Sequence, residues 1–249
     1  MTSRLYIGTS GWNYNHWRGV FYPEELPQSK WLEYYTSHFD TVEVNNSFYR
    51  LPEKKTFEGW RRQTPADFAF CIKASRYLTH IKRLAEPEEP LERLLEHAGG
   101  LEEKLNVVLY QFPPNWKLHL DRLEHFLSIL PPHPRSAFEF RDDRWQCEEV
   151  WALLSKYKVA YCVMSSPGLP LHLRTTCGYS YIRMHSGGED TEGDYTTEHL
   201  REWAEQIRAM LQHGDVYVYF NNDNKGFAVK NALELGNLLG RERQLSHYR

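Results

Sequence analysis

Eight short runs of apolar, β-branched and aromatic residues recur along the chain, at residues 5–9, 41–45, 68–73, 107–111, 137–141, 159–164, 179–185 and 216–221. Each is about the length of one β-strand. The segments between them carry helical period instead. The clearest places Leu200, Trp203, Ala204, Ile207, Met210 and Leu211 on one stripe, with Thr196 or Thr197 set to cap its start and Gly214 to end it. Other helical segments fall at 30–38, 53–63, 91–105 with a break expected at Gly99-Gly100, 121–130, 148–157 and 228–239. Strand and helix in alternation predict parallel strands joined by right-handed crossovers, and eight such units predict closure rather than an open sheet. The expected fold is an α/β, single TIM-like (β/α)8 barrel. Residues 165–176 hold Pro167, Gly168 and Pro170 without helical period, so the connection between strands 6 and 7 is expected to lack a regular helix.

A length of 249 residues suits one such barrel, and no Gly/Ser-rich linker divides the chain, so a single domain over 1–249 is expected. With 41% hydrophobic and 25% charged residues, composition excludes a disordered or fibrous chain. Lys and Arg number 30 against 33 Asp and Glu, a formal net charge of −3, so no global positive field would draw in a polyanion. Cys71, Cys147, Cys162 and Cys177 lie far apart with no Cys-x-x-Cys pair, which argues against a zinc ribbon or a dithiol redox site. Cys71 and Cys162 sit in apolar runs and read as buried free thiols of a reducing compartment. A strand-like segment begins by Leu5 without a charged-then-apolar leader, and no apolar run approaches the ~18 residues of a membrane span. A cytoplasmic protein without a membrane partner is expected; nothing in the sequence fixes an oligomeric state.

Side chains alternate across a strand, so residues two apart share a face. Glu43 and Asn45 therefore oppose Val42 and Val44. Lys73 shares a face with small Ala69 and Cys71, which marks that face as the crowded lumen, while Phe68, Phe70 and Ile72 turn outward. The same parity pairs Glu139 with Arg141 beside Ala137, Arg183 with His185 beside Tyr181, Asn221 with Tyr217 and Tyr219, and Gln111 with Val107 and Leu109. All these polar groups fall towards C-terminal strand ends, where barrels of this kind place their chemistry. One reading is a self-neutralising buried network, with Glu139 meeting Arg141 or Arg183. The other, favoured for the set as a whole because unpaired buried ions are costly, is a polar active-site mouth.

Lys73, Arg141 and Arg183 against Glu43 and Glu139 predict a small anionic substrate or ligand. Glu43, Glu139 or His185 would serve as general acid or base, with the cations holding phosphate or carboxylate groups. Lys73 offers a further chemistry, a Schiff base with a carbonyl substrate, if Arg141 or Arg183 lowers its pKa. A metal recruiting Glu43, Glu139, His185 and Asp223 would be opposed by three cations, so no metal and no cofactor are expected. Ser186-Gly187-Gly188 after the seventh run, and Asn221, Asn222, Asp223, Asn224, Lys225 and Gly226 after the eighth, could hold an anion with Arg183 at a helix N-terminus. Trp12, Tyr14 and Trp17 crowd the loop beyond Gly8-Thr9-Ser10-Gly11 and could stack a ring or plug the mouth. Tyr49 and His80 complete the candidate binding set. Trp31, Trp60, Trp151 and Trp203 read as packing residues.

Six ordered motifs, Ile7-Gly8-Thr9-Ser10-Gly11-Trp12, Val42-Glu43-Val44-Asn45 with Phe48-Tyr49, Gln111-Phe112-Pro113-Pro114, Phe138-Glu139-Phe140-Arg141, Tyr181-Ile182-Arg183-Met184-His185 and Tyr219-Phe220-Asn221-Asn222-Asp223, resemble those of the YecE-like family, the domain of unknown function 72. The resemblance spans nearly the whole chain and implies a TIM-like barrel with no assigned reaction. Likeness of that family to endonuclease-IV and xylose-isomerase type barrels suggests nucleic-acid or sugar handling by fold analogy alone. The chain departs from the pattern at Met164-Ser165-Ser166, where an aspartate would be expected, and at Ser186, where a glycine would follow His185. An enzyme acting on an anionic small molecule is thus the leading expectation. An endonuclease-IV-like phosphodiesterase or nucleic-acid-binding protein, and a non-catalytic ligand-binding barrel, are the alternatives.

Overall fold

In the computed structural model, residues 3–241 are described. Residues 1–2 and 242–249, to which the single-domain expectation also extends, lie outside them. Eight parallel strands form one sheet in the order β1-β8-β7-β6-β5-β4-β3-β2: β1 Leu5–Thr9, β2 Thr41–Val44, β3 Ala69–Lys73, β4 Leu105–Phe112, β5 Arg135–Phe140, β6 Ala160–Ser165, β7 Tyr179–Met184 and β8 Asp215–Phe220. Around them run α1 Trp31–His38, α2 Asn46–Tyr49, α3 Lys54–Gln63, α4 Glu88–Ala98, α5 Leu120–Ile129, α6 Glu148–Lys156, α7 Thr197–Leu211 and α8 Phe227–Leu238. The expected TIM-like barrel is present, and among the described residues no helix lies between β6 and β7.

Closure is completed at the seam between β1 and β2 by a parallel bridge, Ser10 to Glu43. Below it the Tyr35 hydroxyl replaces a strand ladder: it accepts the Thr9 N–H at 3.0 Å and donates to the Thr41 carbonyl at 3.1 Å. Gly8 makes the approach possible, because a Cβ there would stand 2.3 Å from Thr41 O. Strand parity sorts the core as expected. Ala69, Cys71, Val107, Leu109, Ala137, Ala160 and Cys162 fill the lumen with Tyr6, Tyr181, Tyr217 and Tyr219, whereas Phe68, Phe70, Ile72, Val42 and Val44 pack outward against the helices. All four cysteines are free, with Cys71 and Cys162 buried.

Several boundaries differ from the sequence pattern. The helical segment expected over 91–105 breaks at Gly99-Gly100 as the sequence suggests, α4 ending at Ala98, but a 3-10 stretch, Gly99–Lys104, follows and β4 starts two residues early. Gly100 lets this stretch pack closely on α3, since a Cβ there would meet the Lys54 carbonyl at 2.6 Å, and the backbone leaves helical geometry at Glu102, with φ 49° and ψ −126°. The short helix α2 has no counterpart in the helical periodicity. Finally, β2, β5, β7 and β8 stop one residue before Asn45, Arg141, His185 and Asn221, which leaves those side chains on the rim rather than in the ladder. Among the described residues no helix is long and apolar enough to cross a membrane.

Candidate active site

At the centre of the site is Arg183, on β7, which is 1% exposed. Its Nη2 donates to Glu43 Oε1 at 2.8 Å and its Nη1 to Glu139 Oε2 at 2.7 Å. Glu43 is completed by Ser10 Oγ at 2.6 Å and the Tyr181 hydroxyl at 2.7 Å. Burial would raise the Glu139 carboxyl, but Arg183 and then Arg141 beside it hold it well below the usual 4.5. The sequence pattern offers Arg183 as a holder of ligand phosphate. Both its ends are instead occupied by protein carboxylates, and buried ions of this kind persist only when paired this fully.

Above it lies a second layer. Arg141 donates through Nε to Glu139 Oε1 at 2.5 Å, and Gln111 donates to the same oxygen at 2.8 Å. Arg141 Nη2 lies 2.9 Å from His185 Nε2. A guanidinium and an amide NH2 can only donate, and they flank the ring: the Asn221 Nδ2 lies 3.1 Å from Nδ1, while Glu139 Oε1, an acceptor, lies 3.4 Å from Nε2. Burial, the largest influence, holds the His185 imidazole below its ordinary 6.5 against the opposing pull of Glu139, so the ring is neutral at pH 7. Asn45 links the rim to β1 by contacts of 3.4 Å to Ser10 O and 3.5 Å to Asn221, while its own Oδ1 is buried without a partner among the described residues. The side chain of Arg141 is 27% exposed.

Lys73 ends β3 on the lumen side and is 8% exposed. Its Nζ sits 4.2 Å from the ring centroid of Phe48, on α2, and meets no carboxylate or hydrogen-bond acceptor among the described residues. Burial, followed by the Arg183 charge, lowers its pKa from 10.5 to about 8. His80 packs edge-on against the same Phe48 ring at 4.9 Å, with Nδ1 2.9 Å from the Thr79 hydroxyl. Burial and then Lys73 lower it to about 4.

The remaining candidates separate. Trp12, Tyr14 and Asn45 line a neutral cleft of about 320 Å³ beside the mouth, together with Asn13, Gln28 and Trp60. Tyr14 also donates to Ser10 O, and Trp12 rests edge-on against Trp60. Tyr49 is 77% exposed and meets the Phe48 ring edge-on. Asn222 is a structural tie, donating to Asn231 of α8 at 2.8 Å and to Gly193 O at 3.0 Å. Asp223 accepts the Trp17 indole N–H at 2.7 Å and meets His16 at 2.9 Å, which fixes the first loop over the last. Between the seventh and eighth loops lies a cleft of about 370 Å³ lined by His185, Ser186, Asn221 and Asn222 together with Glu189, Glu192 and Asp223; Arg183 is not part of its lining, being turned inward to Glu43 and Glu139. Where the resemblance led to an aspartate, Ser165 Oγ accepts the Tyr195 hydroxyl at 2.8 Å.

Sequence reasoning misses Ser10 and Phe48. Ser10 lies one residue past β1, where strand parity no longer assigns a face. Phe48 becomes a platform for Lys73 only because α2 folds back over β3. Among the described residues no group of three His, Cys, Asp or Glu side chains is placed to hold a metal ion.

The family model described as "Protein of unknown function DUF72" matches residues 6–248. A Bacillus subtilis protein, UPF0759 protein YunF, is 26% identical over 277 residues, covering 94% of each chain. UPF0759 protein YecE of Escherichia coli K12 is 30% identical over 138 residues, 55% of this chain and 48% of its own length. Among solved structures, a DUF72 family protein of Thermotoga maritima superposes with a TM-score of 0.85 at 32% identity, covering 95% of this chain and 99% of that one. D-psicose 3-epimerase superposes with a TM-score of 0.53 at 12% identity over 94% and 97% of the two chains, a likeness of fold alone.

Proposed function

The chain belongs to the DUF72 family, and on that footing we propose that its barrel binds a small anionic molecule over Lys73 and Arg141 and acts on it by proton transfer. The observation that carries this reading is the unpaired Lys73 ammonium. Among the described residues three cations face two carboxylates in the mouth, and both carboxylates are already held by arginine. A phosphate or carboxylate supplied by a ligand would complete the charge balance at Lys73 and at the partly exposed Arg141.

Roles narrow accordingly. Glu43 and Glu139 are structural counter-ions that fix Arg183, and Glu139 is too well stabilised as an anion to exchange protons near neutrality. His185 and Lys73 carry the protons. His185 is neutral and oriented by Arg141 and Asn221, and Lys73 titrates near the operating range of a general base. With Arg183 consumed inside the lumen, Arg141 and Lys73 make too small a cationic track for a nucleic-acid strand.

Thermal unfolding in sulfate, phosphate and a panel of phosphorylated and carboxylated metabolites tests the proposal. Stabilisation by an anion that disappears in Lys73→Met and weakens in Arg141→Ala supports it. Absence of any anion-dependent stabilisation overturns it, and salt-sensitive binding of single-stranded or abasic DNA through the same two residues would replace it with nucleic-acid recognition.

A further inference from the structure

We propose that the Lys73 amine is a covalent nucleophile that forms an imine with a small aldehyde or ketone bearing a carboxylate or phosphate group; this rests on the reading of the mouth as an anion site. Two lysines are buried among the described residues, and they differ in what surrounds the ammonium. Lys104, 5% exposed, gives its ammonium three acceptors: Arg61 O at 2.7 Å, Thr64 O at 2.8 Å and Thr64 Oγ1 at 3.1 Å. This is how a lysine is buried for structural ends. Lys73 is buried nearly as deeply and has no acceptor among the described residues. It lies at the C-terminal end of a barrel strand, against an aromatic face, among fixed charges that it does not contact.

Such a placement disfavours the ammonium and makes the free amine accessible. If charge alone were required, an arginine would be kept ionised there; if packing alone, an apolar side chain would cost less. A lysine that loses its proton easily is what attack on a carbonyl requires. Burial and Arg183 lower its pKa to about 8, so a useful share is free base at neutral pH, whereas a surface lysine near 10.5 holds almost none.

The step balances without a redox partner. The nitrogen lone pair of Lys73 bonds to the carbonyl carbon, the C=O π electrons move to oxygen, and that oxygen takes a proton to give a carbinolamine. Nitrogen then gives up a proton, the hydroxyl is protonated and leaves as water, and C=N forms. His80 shares the Phe48 ring with Lys73 and is neutral, with Nδ1 engaged by Thr79, so its other nitrogen is available to relay these protons. Arg141, within the same mouth, would hold the carboxylate or phosphate and so select a charged carbonyl compound over a neutral one.

The experiment incubates the full chain separately with glyoxylate, pyruvate and dihydroxyacetone phosphate, reduces with sodium borohydride, and maps the adduct by peptide mass spectrometry. The expected result is an adduct on Lys73 roughly tenfold or more above any other lysine at pH 7, with trapping that reaches half its maximum near pH 8. Lys73→Arg, which offers no free amine, should abolish the adduct, while stabilisation by the same anion is read on the wild-type chain. Stabilisation without a Lys73 adduct, or adducts spread evenly over surface lysines, overturns the imine and leaves the anion site standing. Neither stabilisation nor adduct overturns both. If the variant does not fold, the wild-type chain decides instead: trapping at half its maximum near pH 8 supports the imine, and a midpoint near 10.5, that of an ordinary lysine, overturns it.

Discussion

Arg183 Nη1 donates to Glu139 Oε2 at 2.7 Å in a region where neither side chain is more than 1% exposed. The opposite edge of the same guanidinium holds Glu43, so a single arginine ties β2, β5 and β7 across the lumen. Arg183→Met would leave the buried Glu43 carboxylate without a cation and Glu139 with Arg141 alone. The expected loss is about 3–5 kcal/mol, read as a lower urea midpoint at pH 7. Arg183→Lys should recover only part of it, because an ammonium cannot span both carboxylates as a planar fork does. A midpoint equal to wild type in Arg183→Met would show that the pairing contributes nothing net, and one equal to wild type in Arg183→Lys that the planar fork is dispensable.

Glu139 supplies the pH dependence of the same cluster. Its folded pKa lies well below 4.5, so its contribution is fully present above the unfolded value and is lost as pH falls towards the folded one. Glu139→Gln should therefore destabilise by roughly 2–4 kcal/mol at pH 7, and the gap to wild type should stay level above about pH 6 and narrow below about pH 4.5. Unfolding curves of the two proteins between pH 3 and 8 check it; a gap independent of pH would assign the loss to shape rather than charge.

Lys73 predicts the opposite sign. A lysine whose folded pKa falls from 10.5 to about 8 binds fewer protons folded than unfolded between those values, so its cost to stability is present below about pH 8 and fades as pH rises towards 10.5. Lys73→Met should then be more stable than wild type at pH 7, by roughly 1–3 kcal/mol, with the advantage shrinking across that window. A buried site residue whose removal stabilises the fold is the signature of a group retained for function. Destabilisation by Lys73→Met, which keeps the length of the apolar stem and removes only the ammonium, would show that the charge itself stabilises the fold, through Phe48 and the field of Glu139 and Glu43.

The barrel was legible because strand parity and helical period are properties of local sequence, and Glu43, Lys73, Glu139 and Arg183 alternate correctly with small or apolar neighbours. Parity gives the face of a side chain but not its partners. Arg183 and Arg141 look alike in the sequence, yet one is sealed between two carboxylates and the other stands at the rim, a difference set by strand ends that fall at Phe140 and Met184. Asp223 and Asn222 read as ligand groups because they follow β8. Their partners, Trp17 and Asn231, lie 206 and 9 residues away and are brought in by the folding of the first loop and α8. Lys73 was legible as a candidate, but its lack of a counter-ion among the described residues is a three-dimensional fact.

The seam between β1 and β2 carries a prediction independent of the site chemistry. Thr9 N–H faces β2 and has the Tyr35 hydroxyl as its acceptor, itself bonded to Thr41 O. Tyr35→Phe leaves both backbone groups buried without that partner, at an expected cost of about 1–3 kcal/mol. Gly8→Ala acts on the same seam from the other direction, pushing a methyl group to within 2.3 Å of Thr41 O unless the strands part. Each change should speed hydrogen exchange at Thr9 more than at residues of β4 or β5, on the far side of the barrel. Because both open one gap, the double variant should lose less stability than the two singles together. Strict additivity, or unaltered exchange at Thr9, would show that Tyr35 does not close the barrel.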